Sequence, residues 1–236
     1  QYYSVNMGKR MKGRTIMKKK MIFICGIVVC ISLIGVGVYA SMQMEKSSVQ
    51  SATEVGAAVK TAAIALKNSD SSGIFETDSG TRREDAVMTI MGKSVSKVYF
   101  DYRASLYSAC NSLNPVKDAE DLMKKQAVQW SFAEEHGLLP SEQEIMEYCN
   151  SMREAANSDP ENREIMSAIV QNMGLTEAEY FEVIQPKYEV PYIIIEQNIS
   201  EYCEENGVDQ PDWKKVELNI KDEDYMKKIE AKYNVS

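Results

Sequence analysis

A single histidine, His136, stands between Glu135 and Gly137, with Glu134 one position further back. An imidazole beside two carboxylates has the makings of a general base, and a thiol within reach would complete a nucleophilic pair. The thiols in that part of the chain are Cys110, Cys149 and Cys203, and nothing in their spacing brings one to His136. A cation in the last turn of a helix, facing the negative end of the dipole, accounts for His136 more simply. One histidine also excludes multi-histidine metal centres. Asp222-Glu223-Asp224 lacks the alternating oxygens and the glycine of a calcium loop. No G-x-S-x-G, Walker A, HExxH or CxxC run occurs. The acidic groups Glu142, Glu144, Glu147 and Glu201, Glu204, Glu205 read as solvated helix faces. The sequence predicts no enzyme, no catalytic residue, no metal and no cofactor.

What remains is noncovalent chemistry. Met146, Met152, Met166 and Met173 are followed by Tyr180, Phe181, Tyr188 and Tyr192. Flexible thioethers and amphipathic rings suit contact with many different apolar segments. These eight are the predicted peptide-binding residues, and filling a core is the alternative use of the same pattern. Val183, Val190 and Ile194 add apolar residues on second helix faces, which points to an exposed groove or a homodimer seam. Each of the three cysteines falls at a helical core period, as a small buried hydrophobe does.

The elements that carry these residues are mostly helical. Ala86–Met91 is a short apolar run ending at Gly92-Lys93, a small strand and turn. Ser96 caps a helix with Val98, Tyr99, Tyr102, Leu106, Ala109 and Leu113 spaced three and four apart, ended by Asn114-Pro115. A second helix, from about 116 to 136, stops at Gly137. Ser141-Glu142-Gln143-Glu144 is a capping box opening a third. Asp159-Pro160 opens a fourth, which stops at Gly174. Thr176-Glu177-Ala178-Glu179 is a second capping box. The long helix after it repeats Tyr180, Ile184, Tyr188, Tyr192, Ile195, Ile199 and Tyr202, and Pro186 and Pro191 predict a kink or break within it.

The charge is divided along the chain. Of 27 basic and 35 acidic residues, seven basic ones fall within the first twenty positions, where there is no acid. Residues 21–40 carry no charge, and the rest is strongly acidic. An acidic body argues against nucleic acid as a partner. Met21 to Ala40 is long enough to cross a bilayer, and Lys18-Lys19-Lys20 before it predicts a cytoplasmic N-terminus. Residues 21–43 are expected to be a single-pass anchor; the alternative is a signal peptide cleaved after Ala40. Cys25 and Cys30 do not sit as lipid-attachment residues do. Residues 1–16 are read as a translated leader ahead of Met17. Residues 44–84, rich in Ser, Thr and Asp, are expected to be a flexible tether, with a weak helix over Val49–Lys67 whose Val55, Val59, Ala62, Ala63 and Leu66 share a face. The helical body is placed at 85–207 and a charged tail at 208–236, with one short helix near Glu223–Lys232.

The order of these pieces resembles the SurA/PrsA-type extracytoplasmic foldases. Met91-Gly92-Lys93, Val95, Ser96, Tyr99, Phe100 and Tyr102 match the family's strand, turn and first helix, with Met91 where the family has Asn. Ala133, Gly137, Leu138, Ser141, Glu144 and Ile145 match a second motif. Gly174, Leu175, Thr176, Glu179 and Tyr180 match the start of the long last helix. Too few residues follow for the parvulin-type isomerase domain. The resemblance implies a mostly α, SurA-N-like domain with one short N-terminal strand that binds unfolded or partly folded exported polypeptides without covalent chemistry. A surface adaptor for one protein partner and an accessory subunit of a prolyl isomerase are the alternatives.

Overall fold

The computed structural model describes residues 48–71, 73–76 and 85–233. The anticipated basic segment 1–20, membrane segment 21–43 and cleavage site at Ala40 lie outside the described residues. Among those described, no helix is long and apolar enough to cross a membrane.

The elements run α1 (Ser48–Lys67), β1 (Phe75–Glu76), β2 (Ala86–Ile90), β3 (Lys93–Ser96), α2 (Lys97–Ala109), α3 (Pro115–His136), α4 (Glu142–Ser158), α5 (Pro160–Asn172) and α6 (Glu177–Glu179). A π-helix (Tyr180–Glu189), α7 (Val190–Asn206), β4 (Leu218–Ile220) and α8 (Glu223–Tyr233) complete the order. The protein is mostly helical, with a small antiparallel sheet in the order β1-β3-β2-β4. That sheet replaces the single short strand anticipated from the sequence.

Local signals set most helix ends. Ser96 accepts a hydrogen bond from the Tyr99 amide and starts α2. Both capping boxes form, Ser141 with Glu144 and Thr176 with Glu179. Asp159 accepts from the amides of Glu161 and Asn162 ahead of Pro160. Each closes orphan amides that a helix start would leave bare.

The β2–β3 hairpin turns on Met91 (φ 52°) and Gly92 (φ 79°). Two left-handed central residues are what a two-residue turn needs to match the strand twist, and glycine or asparagine supplies them without strain. Methionine does so at a steric cost of order 1 kcal/mol. Its side chain is 54 % exposed, so little packing is at stake. Met91→Asn is expected to stabilise the protein by about 0.5–1 kcal/mol, read as a rise of about 1–4 °C in the thermal midpoint.

The core is largely aromatic and sulfurous. Tyr99, Tyr102, Tyr180, Tyr188, Phe100 and Phe181 are its largest fully buried side chains, beside Met88, Met123 and Met173. The segment expected to be a tether contributes to it. Val55, Val59, Ala62, Ala63 and Leu66 of α1 are all buried, and α1 lies against α2 and α5. A helix this rich in Ala has a weak apolar signal, yet its small residues allow close approach. A Cβ placed on Gly56 would stand 2.4 Å from the Ile169 carbonyl oxygen of α5.

The anticipated tail also belongs to the body. β4 pairs with the outer edge of β2, Met88 opposite Ile220. Met226 and Ile229 of α8 are buried, and the Tyr233 hydroxyl donates to Asp101 at 2.6 Å.

The two prolines of the last long helix produce a change of pitch. Pro186 lies inside a wide turn, and the Val190 amide reaches back five residues to the Gln185 carbonyl. Pro191 then occupies the first turn of α7, where its missing amide costs little.

Candidate functional site

Seven of the eight residues expected to line a peptide groove are core. Met152, Met166, Met173, Tyr180, Phe181, Tyr188 and Tyr192 are each less than 8 % exposed, and Met146 is 39 % exposed. Val190 and Ile194, read as surplus apolar surface, are buried as well. The helical period that aligned these residues describes inward faces. A broad Met/Tyr groove is therefore corrected to a filled core.

His136 occupies the last turn of α3. Its ring lies 4.3 Å from that of Phe132 and 4.8 Å from that of Tyr202, between α3 and α7. Cys110, Cys149 and Cys203 are buried free thiols. Burial pushes Cys110 and Cys149 up to about 11, which removes the thiolate at neutral pH. Among the described residues no group of three His, Cys, Asp or Glu side chains is placed to hold a metal.

The structure assembles a different constellation where α2, α3, the π-helix and α7 meet. Arg103 of α2 donates from Nη2 to Glu189 Oε2 at 2.6 Å, and both side chains are 7 % exposed or less. The Tyr99 hydroxyl accepts from Arg103 Nε at 2.9 Å and from Gln126 Nε2 of α3 at 3.1 Å. Tyr99 stacks on Tyr188 with centroids 5.6 Å apart. Burial raises the Glu189 carboxyl above the ordinary glutamate range, with Arg103 pulling the other way. Burial, the largest single influence, would lower the Arg103 guanidinium; Glu189, Tyr99 and Tyr102 together outweigh it and hold the group well above its ordinary value. The Tyr99 phenol is pushed up to about 12, chiefly by burial.

Above this pair lies a cleft of about 160 Å³. Leu106 and Tyr107 of α2, Cys110 at its C-cap, Leu122 of α3 and Ile193 of α7 supply its walls, and Gln126, Gln129, Glu189 and Tyr192 its polar groups. Lys125 of α3 and Glu196 of α7, also in the lining, form a 2.7 Å ion pair between the two helices. Two buried oxygens of the lining, Glu189 Oε1 and the Tyr192 hydroxyl, have no hydrogen-bond partner among the described residues. A desolvated acceptor with no donor is costly, so such atoms call for an explanation.

Sequence reasoning passed over Arg103, Glu189, Gln126 and Gln129. A signal was present. Arg103 interrupts the apolar series Tyr99, Tyr102, Leu106, and Glu189 lies between Tyr188 and Val190. A charge on a core stripe demands a buried partner.

Compared with known proteins, the chain matches no family model, no curated protein and no solved structure.

Proposed function

We propose that this is a membrane-tethered, extracytoplasmic chaperone-like module that holds unfolded or partly folded exported polypeptides, with no covalent step. The observation that carries the reading is the position of the three foldase-like motifs. Each falls on a structural junction: the Met91-Gly92 hairpin turn leading to Ser96-capped α2, the Gly137 stop before the Ser141 capping box, and the Gly174 stop before the Thr176 capping box. A SurA-N-like arrangement uses its motifs at such junctions. The purified chain is expected to suppress light scattering from a reduced, unfolding client in a dose-dependent way. No suppression at about tenfold molar excess overturns the proposal.

The adaptor reading draws support from one feature. With seven of the eight Met, Tyr and Phe residues buried, this set does not form, among the described residues, the broad adaptable patch that promiscuity favours. Co-purification separates the two: many unfolded chains for a holdase, one folded partner for an adaptor.

A further inference from the structure

We propose that the end of the molecule where α3 and α7 both terminate is a docking surface for a basic segment of another polypeptide, one that carries arginine beside an apolar residue. The inference rests on the proposed function only for the partner's being a polypeptide.

The sign of the partner follows from charge. Residues 133–147 carry five carboxylates and residues 198–212 carry five more, with no lysine or arginine in either stretch. The fold joins the two: Asn198 Nδ2 donates to the Leu138 carbonyl at 2.9 Å, and the His136 ring meets that of Tyr202. Lys93 answers Glu134 at 2.7 Å. Among the described residues, Glu135, Glu201, Glu204, Glu205 and Asp209 form no ion pair. Their placement works against stability. Glu135 lies in the last turn of α3, and Glu204 and Glu205 in the last turn of α7. There they face the negative end of a helix dipole, where a carboxylate is unfavourable and a cation is favoured. The last turn of α7 has no basic residue to offset them. Glu201 and Glu205, four positions apart on one helix face, add like-charge repulsion. A cation from outside relieves each of these penalties. The same field repels nucleic acid, anionic lipid and the corresponding pole of a second copy.

The form of the cation follows from what lies among the carboxylates. Phe132 and Tyr202, both half-buried, meet edge to face with centroids 5.8 Å apart, and His136 packs on both. Glu135 is three positions after Phe132 and Glu205 three after Tyr202, so each ring has a carboxylate beside it on its own helix. Leu139 and Val208, on the loops leaving α3 and α7, are 40 % and 46 % exposed. A guanidinium can stack on a ring while it forks to carboxylate oxygens, which an ammonium does less well. Among the described residues no three carboxylates converge as metal ligands do. The positive charge is therefore best spread along a chain, with an apolar side chain between the cations to cover Leu139 and Val208.

The test titrates a blocked peptide, acetyl-Gly-Arg-Leu-Arg-Gly-Arg-amide, into the full chain by NMR, beside counterparts with Lys, Ser or Glu in place of Arg. The Arg peptide is expected to bind severalfold tighter than the Lys peptide, and the Ser and Glu peptides not at all. Combining Glu201→Gln, Glu204→Gln and Glu205→Gln should weaken Arg-peptide binding about tenfold. The same variant should raise the thermal midpoint by about 1–3 °C, because it removes repulsion from a helix end. A merely structural role for these glutamates predicts a fall instead. The same number of glutamines at Glu154, Glu164 and Glu230, exposed elsewhere, makes an equal change in net charge and should leave binding unchanged. Tyr202→Leu should bring the Arg-over-Lys ratio towards one. Binding of the Ser or Glu peptide as tight as that of the Arg peptide overturns the proposal. So does binding indifferent to the α7 variant, equal weakening by the control variant, or displacement of the Arg peptide by micromolar calcium chloride. The two proposals fail separately. Client protection with no Arg preference removes the docking surface and leaves the chaperone reading. Arg-selective binding without client protection does the reverse.

Discussion

Arg103→Met is expected to cost the fold about 3–5 kcal/mol at neutral pH, because it strands the Glu189 carboxylate in the core. The two side chains are 7 % and 5 % exposed, so water cannot replace the lost partner. The Tyr99 hydroxyl loses its 2.9 Å donor in the same step. The double variant Arg103→Met with Glu189→Met removes both charges and should recover most of the loss, since well-packed apolar replacements of buried pairs are often neutral. A pH signature separates this from simple misfit. Burial already raises Glu189, and without Arg103 nothing opposes it. A carboxyl whose folded value lies above its unfolded one contributes most stability below the unfolded value, about 4.5. That contribution is lost as pH rises through the folded value. Urea midpoints of Arg103→Met should therefore approach those of the parent on acidification from pH 7 towards pH 4.5. A deficit independent of pH would show that the carboxylate is not its source.

The second large effect lies at Gly56. A valine there is expected to destabilise the protein by about 3 kcal/mol and to release α1. Alanine sets two effects against each other. Replacing a mid-helix glycine gains about 1 kcal/mol in helix propensity. Against that, the new Cβ would stand 2.4 Å from the Ile169 carbonyl oxygen and 2.9 Å from Asn172 Cβ. The first neighbour is backbone and cannot rotate aside, so the helices must separate along a seam that buries Val55, Val59 and Ala63. The clash wins, and Gly56→Ala should lose about 1–2 kcal/mol. Limited proteolysis within Ser48–Lys67, faster in both variants and fastest with valine, checks the direction.

These residues also mark how far the sequence could be read. Helix ends were legible because their causes are local: Ser96, Ser141, Asp159 and Thr176 act within three residues. The face of α1 was legible too, but its Ser, Thr and Ala composition suggested a spacer. What hid its role was Gly56, whose value lies in contact with a helix more than a hundred residues away. β1 and β4 are two and three residues long, too short for any alternation to register. Their strand character comes wholly from partners. For the candidate site, periodicity named Tyr188 and Tyr192 and mistook burial for exposure. Period alone does not say what covers a face. Arg103 and Glu189 are 86 positions apart, and no local rule joins them.

The pairing of β4 with β2 bears on the order in which the molecule can assemble. β2 gains β3 across a two-residue turn, almost at once. Its other edge must wait for β4, and the flank of α2 for Tyr233, which meets Asp101 across 132 positions. Contacts this distant lower the folding rate, because the loop must close before they repay it. Until then the nascent chain carries an open strand edge containing Met88 and Ile90, both fully buried at the end. An open apolar edge recruits other strands. During its own synthesis the protein is thus a client of the kind it is proposed to hold.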